Sequence, residues 1–308
     1  MFNGLLFFPI TPYRSDGEVD LAELSAHIER GVDAGAGGVF VACGTGEFSA
    51  LEPDEYALAV RAAVTTVAGR VPVFAGAGGP VRTARRFADL AAAAGADGIL
   101  LLPPYLTEAS GPGLVGYVRA ATREDLPTIV YNRANARFDE RSAVAVAALP
   151  QIIGLKDGAG DLDLMSRIVR AVRDESQPGP FLFFNGMPTA EVTQRAYRAI
   201  GVPLYSSAAF AFAPRIALAY YDALERDDQA TIAQLDSAFY HPLVRLRDRG
   251  AGYAVSLIKA GVELVGFSSG GVRPPLTEVL PEHRTELAGI LEAGLAALPV
   301  KSNVPLTI

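Results

Sequence analysis

Short apolar runs alternate with longer helical patterns along the first two thirds of the sequence, and this alternation limits the available folds more than any other feature. The runs are apolar almost throughout and lie at 5–10, 38–42, 72–76, 98–102, 127–131, 152–156, 181–184 and 202–206. Strands that are apolar on both faces are typical of parallel sheets covered by helices. The sequence therefore predicts parallel strands that are buried on both sides.

The segments between the runs have the apolar spacing of amphipathic helices. In the first of them Asp20 suits an N-cap, and apolar residues then recur on one face. Pro53, Pro80 and Pro188 stand where helices are predicted to begin, a position that tolerates proline. The helices predicted in this region are 20–34, 53–68, 80–94, 113–123, 139–149, 161–174 and 187–199.

Eight predicted strands that alternate with helices, all within about 210 residues, predict an α/β fold, specifically a (β/α)8 TIM barrel. A doubly wound sheet also alternates, but no G-x-G-x-x-G motif follows the first strand. Beyond the last apolar run only helices are predicted, at 212–226, 228–247, 252–265 and 281–297, with a Gly/Pro-rich interruption at 268–280. We therefore predict a catalytic barrel over 1–211 and, over 212–308, a C-terminal helical extension packed on it.

Charge and composition argue against several classes of partner. The formal net charge is −7 and no Lys/Arg-rich run occurs, which argues against nucleic acid. The apolar N-terminus breaks at Pro9 and is too short to cross a bilayer, so no membrane partner is expected. A single cysteine and three scattered histidines predict neither a disulfide framework nor a transition-metal site, and suit a cytoplasmic protein.

Polar residues stand at or just after the carboxyl ends of several predicted strands. Barrels of this class carry their active sites at that end, so these residues should converge on one rim although they are far apart in sequence. They are Gly44, Thr45 and Gly46 after the second strand, Tyr131 and Arg133 at the fifth, Lys156 at the sixth, and Ser206 and Ser207 at the eighth.

Lys156 closes the apolar run 152–156, so its amine is expected at the mouth of a tightly packed barrel. An ordinary lysine has a pKa of about 10.4 and presents about one free amine in a few thousand at neutral pH. Desolvation lowers that pKa and makes the amine a nucleophile toward a ketone. A lysine paired with Asp157 or Asp161 at a strand end is the alternative, and the residue alone leaves both interpretations open.

Tyr131 lies one strand away from Lys156, so its phenol is expected to reach the same amine and to shuttle protons during imine formation. An aromatic residue of a barrel layer fits the position equally well. Gly44, Thr45 and Gly46 offer backbone N–H groups and a hydroxyl to a carboxylate, because glycine permits close approach. Such turns also occur as plain connectors between a strand and a helix.

Taken together, these motifs resemble those of the dihydrodipicolinate synthase / N-acetylneuraminate lyase superfamily, and within it the 5-dehydro-4-deoxyglucarate dehydratase branch. The resemblance extends over essentially the whole chain. It includes 44–48 (GTGEF), 102–109 (LPPYLTEA), 131–133 (YNR), 154–161 (GLKDGAGD), 185–191 (NGMPTAE), 205–208 (YSSA), 256–261 (SLIKAG) and 273–276 (RPPL).

The resemblance implies a class I barrel enzyme in which Lys156 forms an imine with the 2-oxo-acid part of the substrate. It implies that Tyr131 relays protons and that Thr45, with the adjacent backbone of Gly44 and Gly46, holds the carboxylate. The lysine is the electron sink, so no metal or organic cofactor is expected. A homotetramer built as a dimer of dimers is implied in the same way.

In the dehydratase branch the substrate is a 2-oxo sugar diacid, 5-dehydro-4-deoxy-D-glucarate, which is converted to 2,5-dioxopentanoate, carbon dioxide and water. The candidates for binding the far carboxylate of this substrate are Arg133, Ser206, Ser207 and Asn135. Another 2-oxo-acid aldolase or synthase of the superfamily, resembling dihydrodipicolinate synthase or a 2-keto-3-deoxy sugar acid aldolase, is the nearest alternative. A barrel that only senses 2-oxo acids is the alternative from a different class, and the presence of Lys156 argues against it.

The chain departs from the dehydratase branch at three positions. Cys43 stands where the branch usually has glycine, and a buried apolar role suits this cysteine because no histidine is near it in sequence. Ala134 replaces an acidic residue and Ala211 replaces asparagine. Loss of these two polar groups leaves the imine apparatus intact, but it makes the identity of the substrate less secure than the class of reaction.

Overall fold

The computed structural model describes residues 2–104, 108–175 and 181–299. Within these residues, parallel strands pair in chain order from β1 to β8, and β1 pairs with β8 to close the barrel. The strands are β1 Leu6–Phe7, β2 Gly38–Val41, β3 Val73–Ala77, β4 Gly98–Leu101, β5 Thr128–Asn132, β6 Ile152–Asp157, β7 Leu182–Asn185 and β8 Leu204–Ser207. The predicted (β/α)8 fold is confirmed, and each strand lies within its predicted run or overlaps it.

A helix follows each strand, and further helices follow the eighth. The helices of the strand–helix units are α1 Leu21–Asp33, α2 Pro53–Val67, α3 Val81–Ala94, α4 Gly111–Ala121, α5 Glu140–Ala147, α6 Leu162–Glu175, α7 Glu191–Ala199 and α8 Pro214–Glu225. Asp20 caps α1 as predicted, since its side chain accepts from the amides of Ala22 and Glu23. Pro53 is the first residue of α2, also as predicted.

One predicted helix start is wrong. Helix α7 begins at Glu191, so Pro188 lies in the preceding loop. Thr189 there has a φ of 53°, a left-handed backbone conformation that interrupts a helix before it can start. The loop 186–189 therefore remains outside the helix, directly after the carboxyl end of β7.

The predicted extension, 212–308, starts between β8 and α8 and so includes the helix of the eighth unit. Its remaining described helices are α9 Gln229–Leu235, α10 His241–Arg247, α11 Tyr253–Leu264 and α12 Pro281–Ala296, and a π-helical turn at Asp236–Tyr240 joins α9 to α10. Side chains of these helices belong to the same apolar core as residues of β1 to β3. The described part of the extension therefore packs on the barrel.

The barrel interior is a separate, largely aromatic cluster. Phe8 stacks on Phe40 with ring centroids 4.6 Å apart, and Phe40 stacks on Phe74 at 5.4 Å. Cys43 and Tyr131 belong to the same cluster, and Cys43 is buried as predicted. The interior is therefore filled below the carboxyl ends of the strands, and space for a ligand is left above it. Among the described residues, no helix is long and apolar enough to cross a membrane.

Close packing between strands predicts the effect of a methyl group at Gly98. A Cβ there would stand 2.5 Å from the carbonyl oxygen of Pro127 and would also strike the Phe74 ring. Relieving the clash would require the backbone at Pro127 to move, so we expect Gly98→Ala to lower the free energy of unfolding by about 1–3 kcal/mol. Gly116, in α4, is the matched control because a Cβ there meets nothing within 4 Å. Gly116→Ala should stabilise by about 0.5–1 kcal/mol, and equal effects of the two changes in denaturant titrations would contradict this packing.

Candidate active site

A cavity of about 390 Å³ opens at the carboxyl ends of the barrel strands. Six of the seven residues predicted for the site line it: Gly44, Thr45, Tyr131, Arg133, Lys156 and Ser206. The structure thus brings together residues from β2, β5, β6 and β8. The remaining wall comes largely from the loop 186–189 and from helices α10 and α11.

The Lys156 amine is buried among aromatic rings at the base of this cavity. The residue is 6% exposed, and its Nζ lies 4.1 Å from the centre of the Phe8 ring and 4.8 Å from that of Tyr131. Burial lowers the pKa of Lys156 from 10.5 to about 7, with Cys43 opposing this shift and the Arg133 guanidinium adding to it. A far larger share of the molecules than for an ordinary lysine therefore carries the free amine that attack on a ketone requires at neutral pH.

The alternative interpretation, an ion pair between Lys156 and a neighbouring aspartate, does not occur in the described part of the chain. Asp157 accepts instead from Asn132 Nδ2 at 2.6 Å, from the amides of Ala159 and Gly160 at 3.2 Å each, and from the Tyr197 hydroxyl. Both oxygens of the Asp157 carboxylate therefore accept hydrogen bonds from groups other than Lys156. The lysine amine faces the cavity without a counter-ion among these residues.

Tyr131 is the register partner of Lys156 between β5 and β6. Its Oη donates to the carbonyl oxygen of Gly186 at 2.7 Å and accepts from Arg133 Nη1 at 2.9 Å. Burial raises the pKa of Tyr131, and the neighbouring guanidinium of Arg133 opposes that rise. A protonated phenol with a fixed donor and a fixed acceptor partner is a suitable group for relaying a proton beside the amine.

The turn after β2 leaves backbone donors unused. In the described chain, the amides of Gly44, Thr45 and Gly46 donate to no protein acceptor, while the Gly44 carbonyl accepts from the Glu47 amide at 3.1 Å. Gly44 and Thr45 line the cavity, whereas Gly46 does not. Gly46 packs below them, where a Cβ would stand 3.1 Å from Ala42 and 3.2 Å from the Pro9 carbonyl oxygen.

A buried ion pair supports this turn from beneath. Glu47 has a φ of 53°, and its carboxylate lies 2.5 Å from Lys259 Nζ of helix α11. The second carboxylate oxygen accepts from the backbone amide of Arg273 at 3.0 Å. Lys259 also faces the Tyr13 ring at 4.0 Å. Burial lowers the pKa of Lys259, and the neighbouring Glu47 carboxylate opposes that shift. The two buried charges compensate each other, and their contact attaches the turn to α11.

The remaining candidates have different positions. Ser206 lines the cavity, but the Ser207 hydroxyl points away from it and donates to Glu191 Oε1 at 2.5 Å. Asn135 is not among the residues that line the cavity. Of the three departures from the branch, Cys43 is buried in the barrel interior, Ala134 lies in an exposed turn with a φ of 50°, and Ala211 is buried in a short 3-10 turn. Neither alanine contributes to the cavity wall.

Several residues of the wall were not predicted. Arg247 of α10 and Leu257 and Ile258 of α11 come from the C-terminal helices. The sequence offered no signal for Arg247, because it lies among other charged residues in a helical pattern remote from every strand end. Gly186 belonged to a resembling motif, but its contact with Lys156 depends on the arrangement of β6 and β7 and could not be read from spacing.

The fold and the site define a (β/α)8 barrel with a desolvated lysine at the carboxyl ends of its strands. The chain belongs to the dihydrodipicolinate synthetase family, which it matches over residues 1–294. The motif resemblance noted in the sequence is thus confirmed over nearly all of the chain. Within 102–109, one of the resembling motifs, residues 105–107 lie outside the described residues.

Curated relatives place the chain more narrowly. It is 56% identical to a probable 5-dehydro-4-deoxyglucarate dehydratase 1 of Streptomyces coelicolor, over 95% of this chain and 93% of the relative. It is 43% identical to a probable 5-dehydro-4-deoxyglucarate dehydratase of Ectopseudomonas mendocina, over 94% of this chain and 95% of the relative.

Among solved structures, the dihydrodipicolinate synthase of Bacillus clausii superposes with a TM-score of 0.86 at 28% identity, covering 94% of this chain and 97% of that one. A prophage protein of the dihydrodipicolinic acid synthase family from E. coli K12, in complex with pyruvate, gives a TM-score of 0.80 at 25% identity, covering 95% and 98%. The fold is therefore shared with these two structures over nearly the whole chain.

The lowered pKa of Lys156 predicts a pH dependence for trapping a ketone on this residue. Only the free amine attacks, so the rate of reductive trapping of pyruvate with cyanoborohydride should rise with pH and have its midpoint near 7. Mass spectrometry can assign the adduct unambiguously, because the sequence has only three lysines, at 156, 259 and 301. Lys156→Ala should abolish the adduct, and a midpoint near the ordinary lysine pKa of about 10.4 would contradict the desolvated site.

Proposed function

We propose that this protein is a Schiff-base lyase that dehydrates and decarboxylates 5-dehydro-4-deoxy-D-glucarate to 2,5-dioxopentanoate, carbon dioxide and water. Relatives 54–56% identical to it over nearly the full chain bear the name of that dehydratase. The charge of the cavity supports the same substrate independently. Among the described residues that line it, Lys156, Arg133 and Arg247 carry basic groups and none is aspartate or glutamate. Of the three, only Arg247 is paired with a carboxylate in the described chain, that of Asp248 outside the cavity wall.

This one-sided charge is the observation that carries the substrate class. A cavity with basic side chains and no acidic ones favours a ligand with more than one negative charge, because each carboxylate then loses its water to a cationic or N–H donor. A 2-oxo diacid meets this requirement, with one carboxylate beside the ketone and another at the far end of the carbon chain. A mono-acid would leave the Arg133 guanidinium, which pairs with no carboxylate among the described residues, without an anionic partner.

Imine formation begins with attack of the Lys156 amine on the ketone carbon. The new N–C bond forms, the ketone oxygen takes up a proton, and the hydroxyl of the resulting carbinolamine leaves as water. Tyr131 is placed to deliver and recover these protons, because its Oη is held between the Gly186 carbonyl and Arg133 beside the amine. The free amides of Gly44 and Thr45 and the Thr45 hydroxyl are suited to holding the carboxylate next to the ketone.

The later steps use the iminium as an electron sink. With carbons counted from the carboxyl group beside the ketone, loss of a proton from C3 gives an enamine, which expels the C4 hydroxyl as water. The C5–C6 bond then breaks, carbon dioxide leaves, and its electron pair flows into the conjugated iminium. Protonation at C3 and tautomerisation of the C5 enol give the aldehyde, and hydrolysis returns the lysine with 2,5-dioxopentanoate.

Arg133 is the candidate for the far carboxylate. Its Nη1 donates to the Tyr131 hydroxyl, and within the described chain the guanidinium has no carboxylate partner. Its remaining N–H groups therefore suit a bidentate contact with an anionic substrate. Ser206 lines the same cavity and offers a hydroxyl to the polyol part of the chain.

The alternative of another aldolase or synthase of the family shares the imine step and differs only in the bonds broken after it. The names of the relatives favour the dehydratase, and neither Ala134 nor Ala211, the departures that kept the alternative open, contributes to the cavity wall. We also propose a homotetramer built as a dimer of dimers, and a cytoplasmic location, which the single buried cysteine suits.

Incubation with 5-dehydro-4-deoxy-D-glucarate tests the reaction directly. We expect stoichiometric carbon dioxide and 2,5-dioxopentanoate, detected by mass spectrometry, and no product from Lys156→Ala because the imine cannot form. The surface variant Arg249→Met is the control, since Arg249 pairs with Glu286 away from the cavity. Release of pyruvate through carbon–carbon cleavage would favour the aldolase alternative instead.

Replacement of Arg133 tests its assignment to the far carboxylate. Arg133→Met should raise KM for the diacid by about 10- to 100-fold, the value of a charge-assisted hydrogen bond to a carboxylate. The concentration of pyruvate that half-saturates trapping on Lys156 should change little, because pyruvate has no second carboxylate. A parallel loss of affinity for both acids would place Arg133 at the carboxylate beside the ketone instead.

A further inference from the structure

The loop 186–189 joins β7 to α7 and forms part of the cavity wall next to the reacting groups. Its first residue, Gly186, is fixed to β6 because its amide donates to the Asp157 carbonyl at 2.6 Å. The Gly186 carbonyl in turn accepts from the Tyr131 hydroxyl at 2.7 Å. The proton-relay group is therefore oriented by a backbone oxygen of this loop.

Gly186 also packs directly on the lysine. A Cβ at this position would stand 2.5 Å from Lys156 Cε and 2.9 Å from the Tyr131 ring, so backbone alone fits there. A displacement of Gly186 would have two effects. It would move the carbonyl oxygen that accepts from the Tyr131 hydroxyl, and it would open space beside the Lys156 amine. The relative placement of Lys156 and Tyr131 thus depends on where this loop is held.

The other end of the loop is held by Arg247 at the end of helix α10. Arg247 Nη1 donates to the Pro188 carbonyl at 2.9 Å and to Thr189 Oγ1 at 3.0 Å. Thr189 has a φ of 53°, a conformation that a β-branched residue adopts only when its surroundings enforce it. The two hydrogen bonds from Arg247 meet the loop at this strained residue.

The donors of Arg247 are largely committed to the protein. Its Nε donates to Asp248 Oδ1 at 2.9 Å, and Nη2 lies 2.8 Å from the same oxygen. With Nη1 shared between Pro188 and Thr189, little of the guanidinium remains for a ligand, and Asp248 compensates its charge. Arg133 differs in both respects, because most of its N–H groups are uncommitted and no carboxylate pairs with it among the described residues.

We propose that Arg247 is a positioning residue for the imine chemistry: it clamps the loop 186–189 so that the Gly186 carbonyl holds Tyr131 against Lys156. The C-terminal helices then contribute to proton transfer without touching the reacting atoms. The proposal rests on the proposed function only in requiring imine formation on Lys156, and not on the identity of the diacid.

Arg247→Met, Arg247→Lys and the control Arg245→Met test this role in the full-length protein. Arg245 is an exposed arginine of the same helix, two positions earlier. We expect Arg247→Met to lower both kcat for the diacid and the saturated rate of pyruvate trapping on the order of 10- to 100-fold, as misplacement of a catalytic group does. KM and the half-saturating pyruvate concentration should stay close to their original values.

Arg247→Lys should recover part of the lost rate, because an ammonium can still donate to the Pro188 carbonyl, and Arg245→Met should leave every parameter unchanged. A merely structural role would lower the fraction of sites that pyruvate and cyanoborohydride can label, with a normal rate in the remainder. That result would overturn the proposal, as would a raised KM for the diacid with kcat preserved, which would make Arg247 a direct substrate ligand. Pyruvate trapping reports on the clamp even if the diacid proves not to be the substrate.

Discussion

The Lys156 amine is removed from water at the base of the cavity without an opposite charge beside it, and the rest of the site is arranged around that fact. Burial disfavours the charged ammonium form, and this lowers the pKa of Lys156 toward neutral pH. The faces of Phe8 and Tyr131 lie close enough to offer the protonated form a partial substitute for water. The amine can therefore pass between its two protonation states near neutral pH, as the formation and hydrolysis of an imine require.

This arrangement depends on keeping carboxylates away from the cavity. Asp157 follows Lys156 directly, yet Asn132, Tyr197 and two backbone amides take up its oxygens. Glu47 follows the amide turn directly, and Lys259 compensates it from beneath. Each acidic group next to a functional residue thus has its own partner within the fold. An anionic ligand would then meet Lys156 and Arg133, neither of which pairs with a carboxylate among the described residues.

Much of the fold and the centre of the site were predictable because both follow from local regularities. Fully apolar runs marked the strands, and a polar residue closing such a run marked a position on the rim, which located Lys156 and Tyr131. The predictions were weaker where tertiary contacts decide. The start of α7 depends on a strained Thr189, which no propensity indicates. Gly46 looked equivalent to Gly44 in the turn, but its position against Ala42 and Pro9 is a matter of packing. Arg247 could not be assigned, because its partners are 58 and 59 positions away in sequence and belong to a loop.

The contacts of α10 and α11 also determine how the C-terminal helices should be regarded. Both helices line the cavity, and each contributes one cation that stabilises a functional loop: Arg247 for 186–189 and Lys259 for the turn that ends in Glu47. One loop follows β7, the neighbour of the strand that carries Lys156, and the other follows β2, four strands away in the closed barrel. A barrel without these helices would retain its lysine and its tyrosine but would lose the groups that fix their surroundings. The extension therefore contributes to the wall of the candidate active site, and substitutions that change chemistry should be sought there as well as on the barrel rim.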